Sequence, residues 1–368
     1  MIRLNGIHMH HGDFSLDNFS LEAREGEYYV LLGPSGVGKS TVLETIAGFH
    51  TPLRGSVEIN GIDVTHKPPE KRGVGYVPQG AVLFPHLTGL ENILFGPRAL
   101  GRSGAAHEKR LSFLVDMLEI RPVLNRYPAA MSGGERQRIA IARGLAAGPS
   151  VVLFDEPLSS IDAPAKRSIM RAIKNIHRET GATFLHVTHD QDEAFSLGSV
   201  ISLMFSGGIE QTGKRNRIYF FPKTVNVAVF TGMRNIYRGV VTEVMEDSRR
   251  TVIMLDGNRL TADIPEFQSL PKIGADIHFG IRPEEVIILR EEQVIKPSLK
   301  ENILCGNITD IQERSATHTI FFSDESGVLN MEIDLPNTSY RKLKLAAGGT
   351  IRVSLRSASI WMVPVEKN

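Results

Sequence analysis

Residues Gly33-Pro34-Ser35-Gly36-Val37-Gly38-Lys39-Ser40 keep the spacing G-x-x-x-x-G-K-S, and Thr41 follows directly. That spacing belongs to a phosphate chemistry. Gly36 and Gly38 let the backbone curl, so that successive N–H groups face a hollow of phosphate size. A helix beginning at Ser40 presents its positive end to the same anion. Lys39 is then placed to reach β- and γ-phosphates, and the Ser40 hydroxyl to face Mg²⁺. A second feature is Asp155-Glu156-Pro157, directly after the apolar run Val151–Phe154. Two adjacent acids at the end of a buried strand repel each other unless a cation is near. A magnesium nucleotide supplies that cation. Asp155 then reads as the metal-side carboxylate, and Glu156 as the base that polarises a water for attack on the γ-phosphate. The third feature is Met131-Ser132-Gly133-Gly134-Glu135. Ser132 to Glu135 is S-x-x-E, a helix capping box. The same hydroxyl and glycine N–H groups can also form a second anion site at a helix N-terminus, and the two readings hold together.

These residues need elements to position them. Tyr28–Leu32, Val151–Phe154 and Thr183–Val187 are runs of consecutive apolar residues, as a parallel sheet covered on both faces requires. Helical patterns lie between them, at Ser40–Ala47, Glu135–Ala147 and Ala165–Thr180. This alternation predicts an α/β domain over residues 1–232. From about residue 235 the pattern turns to short β runs, which predicts an all-β domain over 233–368. Here the chain repeats itself: Gly239–Val244 resembles Gly306–Ile311, and Gly274–Arg282 resembles Gly348–Arg356. The match predicts two similar halves, at about 235–290 and 297–368, with Arg282 and Arg356 at equivalent places.

Composition narrows the class. Over 368 residues, 42 Lys+Arg against 41 Asp+Glu leave a net charge of +1. That balance excludes a polybasic arm or acidic tail as the main device, so no nucleic-acid partner is expected. A hydrophobic fraction of 42% is enough for packed cores. The single cysteine, Cys305, rules out a disulfide-stapled scaffold. The N-terminus lacks a signal-peptide pattern, and no run approaches the roughly 18 apolar residues of a membrane span.

The segment Met131–Glu135 closely resembles the signature Leu-Ser-Gly-Gly-Gln of ABC transporters, and it lies, as in that family, between the phosphate loop and Asp155. The first 230 residues thus resemble the ATP-binding subunit of an ABC importer. Other positions match in turn. Gln79 in Tyr76-Val77-Pro78-Gln79 falls at the family's Q-loop glutamine, which contacts metal and couples to the membrane subunits. Ser159-Ser160-Ile161-Asp162 falls at the D-loop, and His189 at the switch histidine that contacts the γ-phosphate. The resemblance implies a nucleotide-binding domain of the P-loop type with a helical subdomain, an ATPase, with ATP and Mg²⁺ as cofactors. Gly33 to Thr41 would hold the nucleotide; Ser40, Gln79 and Asp155 the metal; Glu156, His189 and Gln79 would serve hydrolysis. It also implies a head-to-tail homodimer in which Ser132, Gly133, Gly134 and Glu135 of one copy close over ATP held by the other. The expected partners are two integral-membrane permease subunits and an extracytoplasmic binding protein. They would place the chain peripherally on the cytoplasmic face of the inner membrane. Departures from the family pattern are Met131, Glu135 and Ile161, all mild, and His11, where many relatives carry an aromatic that stacks on adenine. Phe14 nearby is expected to serve the core, with stacking on adenine in place of His11 as its alternative.

Within the family, Phe14–Asn18, Gly26–Tyr28, Leu43–His50 and Pro68–Arg72 are similar to molybdate and tungstate importers. Leu83-Phe84-Pro85-His86-Leu87 is shared with importers of sugar, sulfate, ferric iron and polyamine, which stay open as alternative cargoes. The C-terminal repeat resembles paired OB-like regulatory barrels. Ser298, Lys300, Asn302, Arg356, Ser357 and Ser359 are candidate donors to an oxyanion there, although Asp334 would repel one; a purely structural dimerisation role is the alternative. A chromosome-organising or repair ATPase would separate phosphate loop and signature by a long coiled coil, and no sustained heptads occur between them. A translation-associated ABC protein acting on ribosomes would carry two cassettes, and this chain has one.

Overall fold

Strand and helix alternate as the apolar runs require. The computed structural model describes residues 1–11, 14–290 and 299–365, and the chain divides into two units, Met1–Ile218 and Tyr219–Asn368. The first runs β1 (Ile2–His11), β2 (Phe14–Ala23), β3 (Tyr28–Leu32), α1 (Lys39–Ala47), β4 (Arg54–Ile59), β5 (Ile62–Asp63) and β6 (Val74–Val77). Then come α2 (Gly89–Ala99), α3 (Ala105–Met117) and α4 (Gly133–Ala146), a helical insertion. The chain returns through β7 (Val151–Asp155), α5 (Ala163–Thr180), β8 (Thr183–Thr188), α6 (Gln191–Leu197), β9 (Val200–Phe205) and β10 (Gly208–Gly213).

Two sheets result, in the orders β2-β1-β4-β5 and β10-β9-β3-β8-β7-β6. The first is antiparallel. In the second, β6, β7, β8, β3 and β9 are parallel and β10 closes the edge antiparallel to β9. Every residue of β3, β7 and β8 is buried, which is why these strands read as unbroken apolar runs. A core built on Ile2, Leu4, Leu31, Leu43, Ile46 and Leu153 joins both sheets to α1. Each of these side chains withdraws apolar area from water, worth about 1.5–3 kcal/mol when burial is complete. The consequence for chemistry is the strand order. With β3, β8 and β7 as neighbours and parallel, their C-terminal ends lie side by side, where open α/β sheets place their ligands. The phosphate loop, Asp155-Glu156 and His189 follow those three ends.

The helix α7 (Arg215–Phe220) leads into the second unit, which continues α8 (Val225–Phe230), β11 (Asn235–Met245), β12 (Arg250–Leu255), β13 (Asn258–Asp263), β14 (Asp276–Ile281) and β15 (Val286–Leu289). It ends with β16 (Ile303–Glu313), β17 (Thr317–Asp324), β18 (Asn330–Pro336), α9 (Asn337–Leu343), β19 (Thr350–Leu355) and β20 (Trp361–Pro364). The repeat is visible in register: Gly239 faces Ile277 and Gly306 faces Ile351, with an irregularity after Val241 and after Ile308. The sheets are ordered β13-β12-β11-β14-β20 and β15-β19-β16-β17-β18. Each half therefore gives its last strand to the other half's sheet, and one core runs through both. Two asparagines at equivalent places clasp the exchange. Asn235 bonds the main chain of Glu332 in both directions at 2.8 Å. Asn302 accepts from Thr261 N at 2.7 Å and donates to Thr261 O at 2.8 Å.

Residues 219–232 group with this second unit for a physical reason. Arg282, buried at its start of the link to β15, lies 3.5 Å from the Tyr219 ring centroid and donates to Thr231 O at 2.7 Å. The indole of Trp361 donates to Pro222 O at 2.6 Å. The equivalent Arg356 is exposed and pairs with Glu285 instead. The repeat has thus kept the position and changed its use.

Candidate active site

The loop after β3 turns into α1 at Gly38, whose φ of 91° is left-handed. A Cβ there would lie 1.8 Å from Phe14 Cζ, so glycine is required by space and by backbone conformation at once. Gly38 brings no side-chain cap, and the first N–H groups of α1 keep their capacity for an anion. Lys39 is 4% exposed. Its ammonium donates to Gly33 O at 3.0 Å and Pro34 O at 2.7 Å, arching over the loop. Burial lowers its pKa, while Glu156 and Asp155 pull it back up. Pro34 and Val37 are half-buried, Ser35 and Gly36 exposed, and Thr41 offers its carbonyl to Thr45 Oγ1 within α1.

Ser40 Oγ donates to Asp155 Oδ1 at 2.7 Å, which brings the phosphate loop onto the end of β7. Burial raises the Asp155 pKa, with Glu44 and Glu156 adding to it and the Ser40 and Tyr76 hydroxyls opposing. A buried carboxylate beside a hydroxyl is a hard-oxygen donor set, and its charge is one that a divalent cation would offset, so these residues fit magnesium. Gln79 stands exposed in the turn after β6, on the strand beside β7. It makes no hydrogen bond to Ser40 or Asp155.

Glu156 has a left-handed φ of 40°, a costly conformation for a non-glycine residue that recurs at functional sites. Its N–H donates to Val187 O on β8 at 3.0 Å, and its Oε2 lies 3.0 Å from His189 Nδ1. A carboxylate only accepts, so Nδ1 carries the proton and Nε2 is turned to other partners. Glu156 is 13% exposed and His189 46%. Glu156 and His189 are thus one pair, reachable from outside.

Ser132 caps α4. Its hydroxyl accepts from Glu135 N at 3.2 Å, and Glu135 Oε2 accepts from Ser132 N at 2.7 Å. That backbone donor, with the serine hydroxyl, holds the Glu135 carboxyl below its ordinary pKa. The capping box is therefore real. It does not account for the glycines. A Cβ on Gly133 would meet nothing within 4 Å, and one on Gly134 would come only within 3.6 Å of Ala165 Cβ. Nothing inside this chain crowds them. Asp162 caps α5, accepting from Ala165 N at 3.4 Å, and is exposed. His11 ends β1, and its side chain lies outside the described residues.

Sequence reading missed two features. Tyr76, on β6, donates to Asp155 Oδ2 at 3.3 Å, and no motif marks it. A buried polar chain also joins Tyr28, His186, Glu193, Lys166 and Asp190; of these, only Asp190-x-x-Glu193 reads locally, as a cap of α6. Four of the described C-terminal oxyanion candidates are hydrogen-bonded within the second unit. Ser298 lies outside the described residues and Lys300 is exposed. Asn302 is spent on the strand clasp. Glu285 takes both Arg356 and Ser359 Oγ, and Ser357 Oγ accepts from Arg250 at 3.1 Å. Asp334, the residue expected to repel an oxyanion, is covered by Arg234 and Thr319.

With this geometry in hand, comparison with known proteins is informative. The profile of the ABC transporter family matches residues 16–159. The molybdate/tungstate import ATP-binding protein WtpC of Pyrococcus abyssi is 32% identical over 360 residues, 98% of this chain and 99% of that protein. The spermidine/putrescine import ATP-binding protein PotA of Roseobacter denitrificans is 38% identical over 307 residues, 82% of this chain and 83% of that one. Among solved structures, a dimeric post-hydrolysis state of the ATP-binding cassette MJ0796, bound to ADP and Pi, has a TM-score of 0.53 at 33% identity. It covers 58% of this chain and 98% of its own.

Proposed function

This chain belongs to the ABC transporter family of ATP-binding proteins, and from that premise we propose that it is the ATP-hydrolysing subunit of a molybdate or tungstate importer. The observation that carries hydrolysis is the pairing of Glu156 with His189 at 3.0 Å beside the Ser40–Asp155 contact of 2.7 Å. Lys39 and the α1 N-terminus bind the phosphates. Ser40 and Asp155, joined by Gln79 from the turn after β6, would hold magnesium, which when bound would offset the charge of the phosphates. Glu156 takes a proton from the attacking water, and His189 Nε2 holds the γ-phosphate in line. The exposed Gly133 and half-buried Gly134, neither of which a Cβ would crowd, support a site completed by a second copy, whose Ser132 donates to the same phosphate.

Among the described residues no helix is long and apolar enough to cross a membrane, so attachment is assigned to permease subunits at the cytoplasmic face. A cavity of 540 Å³ beside the Gln79 turn, lined in part by Val82, Phe84, Phe95, Leu100 and Arg143, suits an apolar helix of such a permease. Val82, Phe95 and Leu100 are large and exposed, at 61%, 49% and 55%. The cargo rests on similarity over the whole chain, second unit included. Polyamine is the second reading, favoured by the 38% identity to PotA. In proteoliposomes holding the chain with its permease, the binding protein loaded with molybdate or tungstate should stimulate ATP hydrolysis several-fold and spermidine should not. The reverse result establishes the polyamine reading.

A further inference from the structure

We propose that Lys166 is a positioning residue that ties the exposed turn Ser159–Asp162 to the Glu156–His189 pair, so that a second copy pressing on that turn sets the pair's alignment. The proposal rests on the ATPase reading above. Lys166 sits one turn into α5, its N–H bonded to Asp162 O at 2.9 Å. Its side chain runs the other way, to Asp190 Oδ2 at 2.6 Å and Glu193 Oε1 at 2.7 Å. Asp190 is the residue directly after His189, and its second oxygen accepts from Glu193 N at 3.0 Å to start α6. Glu193 is 2% exposed, and its other oxygen lies 3.1 Å from His186 Nε2. His186 Nδ1 in turn meets the Tyr28 hydroxyl at 2.9 Å, on the strand that leads into the phosphate loop.

Glu193 accepts, so His186 Nε2 donates to it; in the neutral imidazole Nδ1 then accepts from Tyr28. The Glu193 carboxyl is pushed up by burial and brought down to about 2 by the hydrogen bond and charge of His186 and by hydrogen bonds from Lys166 and Thr188, so it stays an anion. Lys166 is paired with it and is shared between two carboxylates. Moving the start of α5 moves the ammonium, and Asp190 must follow it to stay paired. His189 directly precedes Asp190 in the chain, and its Nδ1 lies 3.0 Å from Glu156 Oε2. A misplacement of about 1 Å at such a pair can cost on the order of 10²-fold in rate without touching substrate binding.

The test compares Lys166→Met and Lys166→Arg in the full chain, measuring steady-state ATP hydrolysis, thermal stability, and affinity for a fluorescent ATP analogue with magnesium. Lys166→Met should lower kcat at least tenfold while KM and analogue affinity stay within about twofold. Lys166→Arg should restore most of the rate. Because Lys166→Met strands a buried carboxylate, the double variant Lys166→Met/Glu193→Gln removes that charge. It should fold, bind the analogue, and still turn over slowly. Wild-type kcat in the single variant overturns the proposal, as does a wild-type rate in the double variant, since the fault would then be a stranded charge. No hydrolysis by the unaltered chain would instead overturn the ATPase reading itself.

Discussion

Glu156→Gln is expected to bind MgATP as tightly as the unaltered chain and to lose a factor of about 10²–10⁴ in kcat, the contribution typical of a general base. The substitution is nearly isosteric, and the amide oxygen can still accept from His189 Nδ1, so the 3.0 Å pair survives. What it loses is the capacity to take a proton from water. The backbone at φ 40° is fixed by the bond from residue 156 N–H to Val187 O, which does not involve the side chain. Single-turnover hydrolysis alongside a nucleotide titration separates the two outcomes. Unchanged turnover would mean that the base is another group, and the strained backbone at Glu156 would then have no catalytic use.

Ser132→Asp is expected to lower turnover by roughly 10²-fold or more, comparable to the loss of one donor to a developing anion, with melting temperature and MgATP affinity of the separated subunit unchanged. The choice of aspartate is deliberate. It is as good an N-cap as serine, so Glu135 N keeps its acceptor and α4 its start. Only the second role of Ser132, facing a partner's γ-phosphate, is converted into repulsion. Ser132→Thr should leave both roles and most of the rate. If Ser132→Asp hydrolyses ATP at the ordinary rate, the signature is a helix cap and nothing more.

How much of this was legible beforehand depended on whether the residues were neighbours in sequence. Gly33–Ser40, Asp155-Glu156 and Ser132–Glu135 each state their chemistry within a few positions, because a turn, a strand end and a helix start are local objects. The contact between Ser40 and Asp155 followed, since two parallel strands carry them to one sheet edge. Lys166, Glu193, His186 and Tyr28 were illegible because they come from four elements and only the sheet order brings them together. Tyr76 looked like one more apolar strand residue. In the second unit the repeat of Gly239 and Gly306 could be read, but the exchange of β15 and β20 could not, because strand adjacency is not written in a strand's own sequence. Asn302 and Arg356 show the same gap. Polar side chains that look like ligand donors in a list are, in the fold, committed to Thr261 and Glu285. The helices over 215–230 continued the α/β rhythm, and Arg282 and Trp361, far along the chain, help hold 219–232 to the β unit.

The claim beneath all of this is that one copy alone is catalytically incomplete. Its most direct test is specific ATPase activity measured across a dilution series, with sedimentation reporting the mass at each protein concentration. The account predicts activity per subunit that falls with the dimer fraction and vanishes where only monomer sediments. Constant activity per subunit in a solution that is wholly monomer would contradict it.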